Sequence, residues 1–290
     1  MGPADLLPSP FIAWLAAGDP HIEKAARNLN LFVADFATSF SYSPADMPTC
    51  RVLASQGASL EDHVKSHLAV AQWLLGARMK EQLIDLVYAL LNHRVLNAAL
   101  ISRGIIESAA AIVYLHEKLD GTLRNRSEQA YQNALDELHR SIGGGRFDWL
   151  SAKDDDQMLK HLEVYRVGDD PEVPSGRRAT SILTMLVKLD RRFHKMAKRL
   201  GTATNSTASP IQGGVVRAVY AQLCDFCHPG TGTAILLSGP GNLDGWVRLR
   251  SGTGERETRW FFWNLGIFVA PICQVAYEAL SSINTVVADS

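Results

Sequence analysis

Apolar residues recur at three- and four-residue spacing through most of the chain, the period that places them on one face of an α-helix. From His21 the series Ala26, Leu29, Phe32, Val33 and Phe36 marks a first helix, which breaks in the stretch SYSPADMPT, where two prolines sit close together. Ser59 with Asp62 three residues on has the form of a helix cap, and Leu60, Val64, Leu68, Ala71 and Leu75 carry that helix's apolar stripe. The longest periodic stretch, 80–118, contains no proline. It predicts one long helix or two nearly continuous ones, with Gly104 as the only soft point.

A more polar helix is predicted from about Thr122 to Ser141, stopped by Gly143, Gly144 and Gly145. Residues 151–175 hold Asp154, Asp155, Asp156, Asp169, Asp170 and Glu172 and read as a solvated connection. Ser175 or Ser181 then opens a helix whose core stripe is Ile182, Met185 or Leu186, Leu189, Phe193, Met196 and Leu200. A further helical run ends at Pro229 and Gly230. The short alternating runs TAILLSG and GWVRLRSG, joined by PGNLD, predict a β-hairpin. An apolar helix from about Thr258 to Ile283 closes the chain, and residues 1–20, rich in proline and small residues, read as an irregular arm that packs Phe11, Ile12 and Trp14 onto the body. The expected fold class is therefore mainly α: a helical bundle with one small β-hairpin near residues 232–251. Residues 1–78 would form an N-terminal arm and helices packed on the body, and 79–290 the main helical domain.

Composition changes this picture little. The 290 residues are 47% hydrophobic and 20% charged with a net charge of −1, so nothing draws the whole molecule to phosphates, and a nucleic-acid partner would have to meet a local basic patch. Lys188, Arg191, Arg192, Lys195, Lys198 and Arg199 line one side of the helix over 188–199 and form that patch, unless they are simply a solvated face. The four cysteines, Cys50, Cys224, Cys227 and Cys273, do not have the arithmetic of a disulfide framework, and the N-terminus lacks the basic lead of a secretory signal. A cytoplasmic protein is expected. The segment Trp260 to Tyr277 is uncharged and long enough for a bilayer, but Asn264, Pro271 and Gln274 interrupt it, and it reads as buried core rather than a membrane span.

Candidate chemistry concentrates in RAVYAQLCDFCHPG, residues 217–230. At about 100° per residue, Arg217, Tyr220, Cys224, Cys227 and His228 fall on one side of a helix. Cys224-Asp225-Phe226-Cys227-His228 matches the haem-attachment pattern literally, but no export signal accompanies it. The same residues lack the second close pair of ligands that a structural zinc site uses, so no metal and no cofactor are expected. In the helix over 80–118, His93, Arg103, Glu107 and Tyr114 share one stripe, and Arg103 and Glu107 stand one turn apart among isoleucines. Buried charges persist only when paired, so these two are expected to form a tie.

A helix with R-x-x-x-E (Arg103, Glu107), followed much later by Y-x-x-x-C-x-x-x-H-P (Tyr220, Cys224, His228, Pro229), a hairpin and a last apolar helix resembles a family of bacterial helical proteins distantly similar to the HEPN superfamily. The resemblance covers roughly residues 80–285. It implies a homodimeric toxin–antitoxin or antiviral-defence protein that cleaves RNA without metal, using an Arg and a His at a dimer interface. Arg217 lies farther from His228 than the superfamily's spacing, and Gln222 takes the polar position instead. Carried onto this chain, His228 would be general acid or base, Arg103 or Arg217 would meet the phosphate, Glu107 would orient Arg103, and Asp225 or Tyr220 would hold the imidazole tautomer. The alternative is a non-catalytic helical interaction or ligand-binding protein in which His228 caps a helix and Arg103–Glu107 ties two helices.

Overall fold

A computed structural model of the chain describes residues 6–40, 59–143, 182–199, 214–227 and 254–283. Among the described residues there are nine α-helices: α1 (Ser9–Ala16), α2 (Pro20–Ser39), α3 (Leu60–Leu91), α4 (Val95–Thr122), α5 (Glu128–Gly143), α6 (Ile182–Arg199), α7 (Val215–Cys227), α8 (Glu255–Asn264) and α9 (Val269–Ser282). The mainly helical architecture is as expected. No strand occurs among the described residues, and the hairpin expected at 232–251 lies outside them, as do the acidic stretch 151–175 and His228.

From Leu6 on, the expected arm is mainly helical rather than irregular. Pro8 and Pro10 sit at the entrance of α1, where a missing N–H costs nothing because the first helical donors are unpaired in any case. Asp19 then caps α2, its carboxylate accepting from the backbone N–H groups of His21 (2.8 Å) and Ile22 (3.3 Å) with Pro20 at the first helical position. At Ser59 the expected cap is complete. The hydroxyl accepts from Asp62 N at 3.2 Å, and the Asp62 carboxylate returns to Ser59 N at 3.2 Å. The α3 helix that follows runs unbroken across residues 78 and 79, and one core unites residues from both sides of that division.

The break in the long periodic stretch falls at Asn92–Arg94, not at Gly104. His93 takes a left-handed conformation (φ 54°), Arg94 N–H returns to Ala89 O at 2.8 Å, and the Asn92 side chain covers Tyr88 O, so the last carbonyls of α3 are satisfied without a glycine. Gly104 is instead in mid-helix, where the Gln82 amide of α3 crosses so closely that a Cβ would stand 2.8 Å from its nitrogen.

Helix α4 is the centre of the bundle. It packs against α3, α5, α6, α7, α8 and α9, and Ala98, Ala99, Ser102, Ile105, Ile106, Ala109, Ala110 and Ile112 are all fully buried. Small residues let neighbouring helices approach, while each buried Ile or Leu contributes about 1.5–3 kcal/mol. A satellite core of Val64, Leu68, Leu115, Leu119, Ala134 and Leu138 joins the ends of α3 and α4 to α5.

The closing apolar segment is two helices, not one. Pro271 has no N–H and its ring collides with the carbonyl four residues back, so the chain leaves α8 at Leu265, makes a short 3-10 turn at Gly266–Phe268 and re-enters as α9, bent by 45°. Phe261, Phe262, Ile272, Cys273 and Ala276 are buried in the core. Among the described residues only Val95–Asn125 is by itself long and apolar enough to cross a bilayer, and 67% of its most apolar window is buried by neighbouring helices.

Candidate functional site

The expected polar stripe of α4 exists. Leu100, Arg103, Gly104, Glu107 and Ala111 recur at three- and four-residue spacing and, with Ile101 beside them, are the positions of the helix's middle that retain exposure, because the other faces are occupied by packed helices. Helix α7 lies along α4 and brings Tyr220 to this stripe. The Tyr220 hydroxyl donates to Glu107 Oε1 at 2.8 Å, and Arg103 Nε donates to the same oxygen at 3.0 Å. The Arg103 guanidinium carbon stands 5.5 Å from the centre of the Tyr220 ring, which adds a cation–π contact. One carboxylate oxygen therefore gathers two donors from two helices.

The expectation of a buried tie needs correction. The Arg103 and Glu107 side chains are 28% and 30% exposed, so the pair sits at the rim of the seam with water on one side. Its electrostatics remain strong. Arg103 is held charged more firmly than an ordinary arginine, chiefly by the Tyr220 oxygen, with Cys224 and Glu107 adding to the effect. Burial, and then the hydrogen bond to Glu107, pushes the Tyr220 phenol up to about 12. At neutral pH Tyr220 is thus a donor and never a base.

His93 does not share the stripe. Because the helix breaks there, its ring faces the other way, within hydrogen-bond distance of Thr258 Oγ1 (3.1 Å) and edge-on to Trp14 at 5.4 Å. Tyr114 is buried and takes Lys118 over its ring.

Arg217 is also committed elsewhere. Asp190 of α6 is buried and aims its carboxylate at the start of α7, accepting from Val216 N (2.7 Å), Arg217 N (3.3 Å) and Arg217 Nε (2.7 Å). Gly214, at φ 88°, passes directly beneath; a Cβ there would collide with the carboxylate. Asp190 is a helix cap supplied from 26 residues away, and its charge suits the positive end of α7. Sequence reading missed it. The available signal was an acid standing alone in the basic helix 182–199, next to the apolar stripe.

The basic face of α6 is partly a joint between helices. Lys188 pairs with Glu117 of α4 at 2.7 Å, Arg192 donates to His116 Nδ1 at 3.0 Å, and Arg199 reaches Glu278 of α9 at 3.1 Å. Arg191, Lys195 and Lys198 are exposed. A guanidinium only donates, so His116 Nδ1 must be the bare nitrogen and Nε2–H donates to Ser282 Oγ at 2.9 Å. Desolvation, then the neighbouring Arg192 charge, lowers the pKa of His116.

Asp225 is exposed on α7. Cys224 is half-buried, whereas Cys273 is fully buried with its thiol pushed up by desolvation. No group of three or more His, Cys, Asp or Glu side chains among the described residues is arranged to hold a metal ion. No protein-family model matches the chain, and no curated protein and no solved structure matches it.

Proposed function

We propose that the chain is a HEPN-like, metal-independent RNase of the toxin or antiviral-defence type, working as a homodimer through the seam between α4 and α7. The observation that supports this reading is the convergence of Arg103, Glu107 and Tyr220 at a partly exposed rim. Glu107 occupies the Nε side of Arg103 and the Tyr220 oxygen lies beside its guanidinium, and the solvent-facing N–H groups that remain are offered to a phosphate. Tyr220 holds Glu107 in place with its proton. His228, next after α7, carries the acid–base role towards a ribose hydroxyl, since an imidazole titrates near neutral pH and Tyr220 does not. Arg217, whose Nε–H is given to Asp190 as that of Arg103 is given to Glu107, remains the second candidate for the phosphate. Arg191, Lys195 and Lys198 are the remaining cations on α6 for the RNA backbone.

A non-catalytic binding protein is the second reading, favoured by the internal neutralisation of Arg103 by Glu107. RNA cleavage in chelator separates the two. For the RNase, His228→Ala loses roughly 10²–10⁴-fold in rate and Arg103→Ala falls with it, while both variants keep the helical circular-dichroism signal. Equal activity in wild type and His228→Ala, or none in either, overturns the RNase in favour of the binding protein.

A further inference from the structure

We infer that the cavity between the end of α1 and helix α8 binds a nucleobase joined to a phosphate. The cavity has a volume of about 580 Å³, within the ordinary range of small-ligand sites, and its walls include Trp14, Trp260, Trp263, Arg256, Arg259 and Asn264. Among the described residues, three indoles and two guanidinia stand around one space with Glu255 the single acid, a lining that selects for a flat ligand carrying negative charge.

Each wall has a distinct task. Trp263 gives its indole N–H to Leu15 O at 2.7 Å, which pins α8 to α1 and leaves the ring 36% exposed as a surface for stacking. Trp260, one turn earlier on the same side of α8, is 45% exposed and is braced edge-on by Phe226 of α7 at 6.1 Å. Two indoles exposed one turn apart form a contiguous apolar patch of the kind that marks a binding surface, and every base offers a π-face to stack on it. Trp14 is already covered: the Arg259 guanidinium carbon lies 4.8 Å from the centre of its ring. That stacking fixes Arg259 flat against the wall, and its Nε is buried with no acceptor among the described residues. With Nε shut off from solvent, the remaining N–H groups of the guanidinium, which lines the cavity, are the ones that meet a ligand oxygen. Arg256, exposed on the first turn of α8, supplies a second cation at the open side.

A quaternary ammonium, the usual guest of tryptophan cages, is disfavoured because two guanidinia would repel it. Inorganic phosphate alone would leave the indoles unused. The shared chemistry of base plus phosphate occurs both in a free mononucleotide and in a single-stranded RNA, and the length dependence of affinity distinguishes the two sources.

The inference stands apart from the RNase reading because every readout is binding rather than cleavage. The full chain is titrated by calorimetry with adenosine 5′-monophosphate, adenosine, inorganic phosphate and a short single-stranded RNA. We expect saturable binding of the monophosphate or the RNA, weaker binding of adenosine, and none by phosphate alone. Trp260→Ala weakens affinity by at least about tenfold, the loss of one base–aromatic stack, and Trp260→Phe, which keeps a ring, recovers most of it. Arg256→Gln weakens the monophosphate but not adenosine. RNA far tighter than the monophosphate identifies a strand-binding site, and equal affinities identify a free-nucleotide site. The proposal is overturned if neither phosphorylated ligand binds saturably to a chain whose helical circular dichroism is intact, if adenosine binds as tightly as its monophosphate, or if Trp260→Ala leaves affinity unchanged.

Discussion

Removing the Asp190 carboxylate tests whether α7, and with it Tyr220, is held in place by a cap that comes from another helix. In Asp190→Ala the backbone N–H groups of Val216 and Arg217 lose their acceptor, and losses of helix caps cost about 1–2 kcal/mol. A partly buried charge at a helix end contributes up to about 2 kcal/mol more, although the two effects overlap because one carboxylate provides both. The ion pair adds less. Arg217 is 39% exposed, so solvent screening holds that contribution to roughly 0–1 kcal/mol. The total is about 2–4 kcal/mol, which for a chain of this size corresponds to a fall in melting temperature of about 4–10 °C. Asp190→Asn keeps one carbonyl oxygen for one amide and is expected near half that loss. Arg217→Ala leaves both backbone bonds intact and is expected to cost about 1 kcal/mol or less. Urea denaturation followed by circular dichroism measures all three, and amide hydrogen exchange at Val216 reports the cap directly, quickening in Asp190→Ala but not in Arg217→Ala. If the Asp190 and Arg217 variants lose the same stability, the carboxylate serves an ion pair and the capping argument is wrong.

Two further outcomes follow from the same joints. Arg103→Ala is expected to cost about 1–2 kcal/mol, not the 3–5 kcal/mol of a fully buried pair, because both partners are nearly one-third exposed; the double change Arg103→Met with Glu107→Leu should return to within about 1 kcal/mol of wild type, and a single-variant loss above about 3 kcal/mol would contradict the open rim. His116 has a folded-state pKa below its unfolded value, so its neutral form stabilises the fold fully above an unfolded pKa of about 6.5 and that contribution falls away as pH drops below it. The loss of stability between neutral and mildly acid pH should therefore be steeper in wild type than in His116→Gln, and parallel curves would refute the Arg192–His116–Ser282 assignment.

The parts of the fold that were legible in the sequence depend on local physics. The Ser59–Asp62 cap lies within one turn, and the α4 stripe with Arg103 and Glu107 follows from helical period alone, so pattern was enough for both. The departures arise where a distant group decides. Prolines 8 and 10 read as breakers, yet at a helix entrance they cost nothing. His93 ends α3 without Gly or Pro because the carbonyls of that last turn are satisfied by Asn92 and Arg94. His93 lies beyond that break and so faces Thr258 instead of the Arg103 seam that helical period alone would give it.

The cations of α6 illustrate the deeper limit. Periodicity states that Lys188, Arg192 and Arg199 lie away from that helix's apolar stripe, but solvent on the far side is a separate condition. Glu117, His116 and Glu278 come from α4 and α9, at separations of 71, 76 and 79 residues, and no window along the chain contains both partners. A charged face therefore becomes a candidate for nucleic-acid contact only after its internal acceptors are subtracted. On α6 the subtraction leaves Arg191, Lys195 and Lys198, spaced at i, i+4 and i+7 along one exposed edge. Phosphate contacts position a strand without reading its bases, so in the RNase reading proposed above base selectivity would fall to another surface, for which the tryptophan-lined cavity with its two guanidinia is the one proposed here.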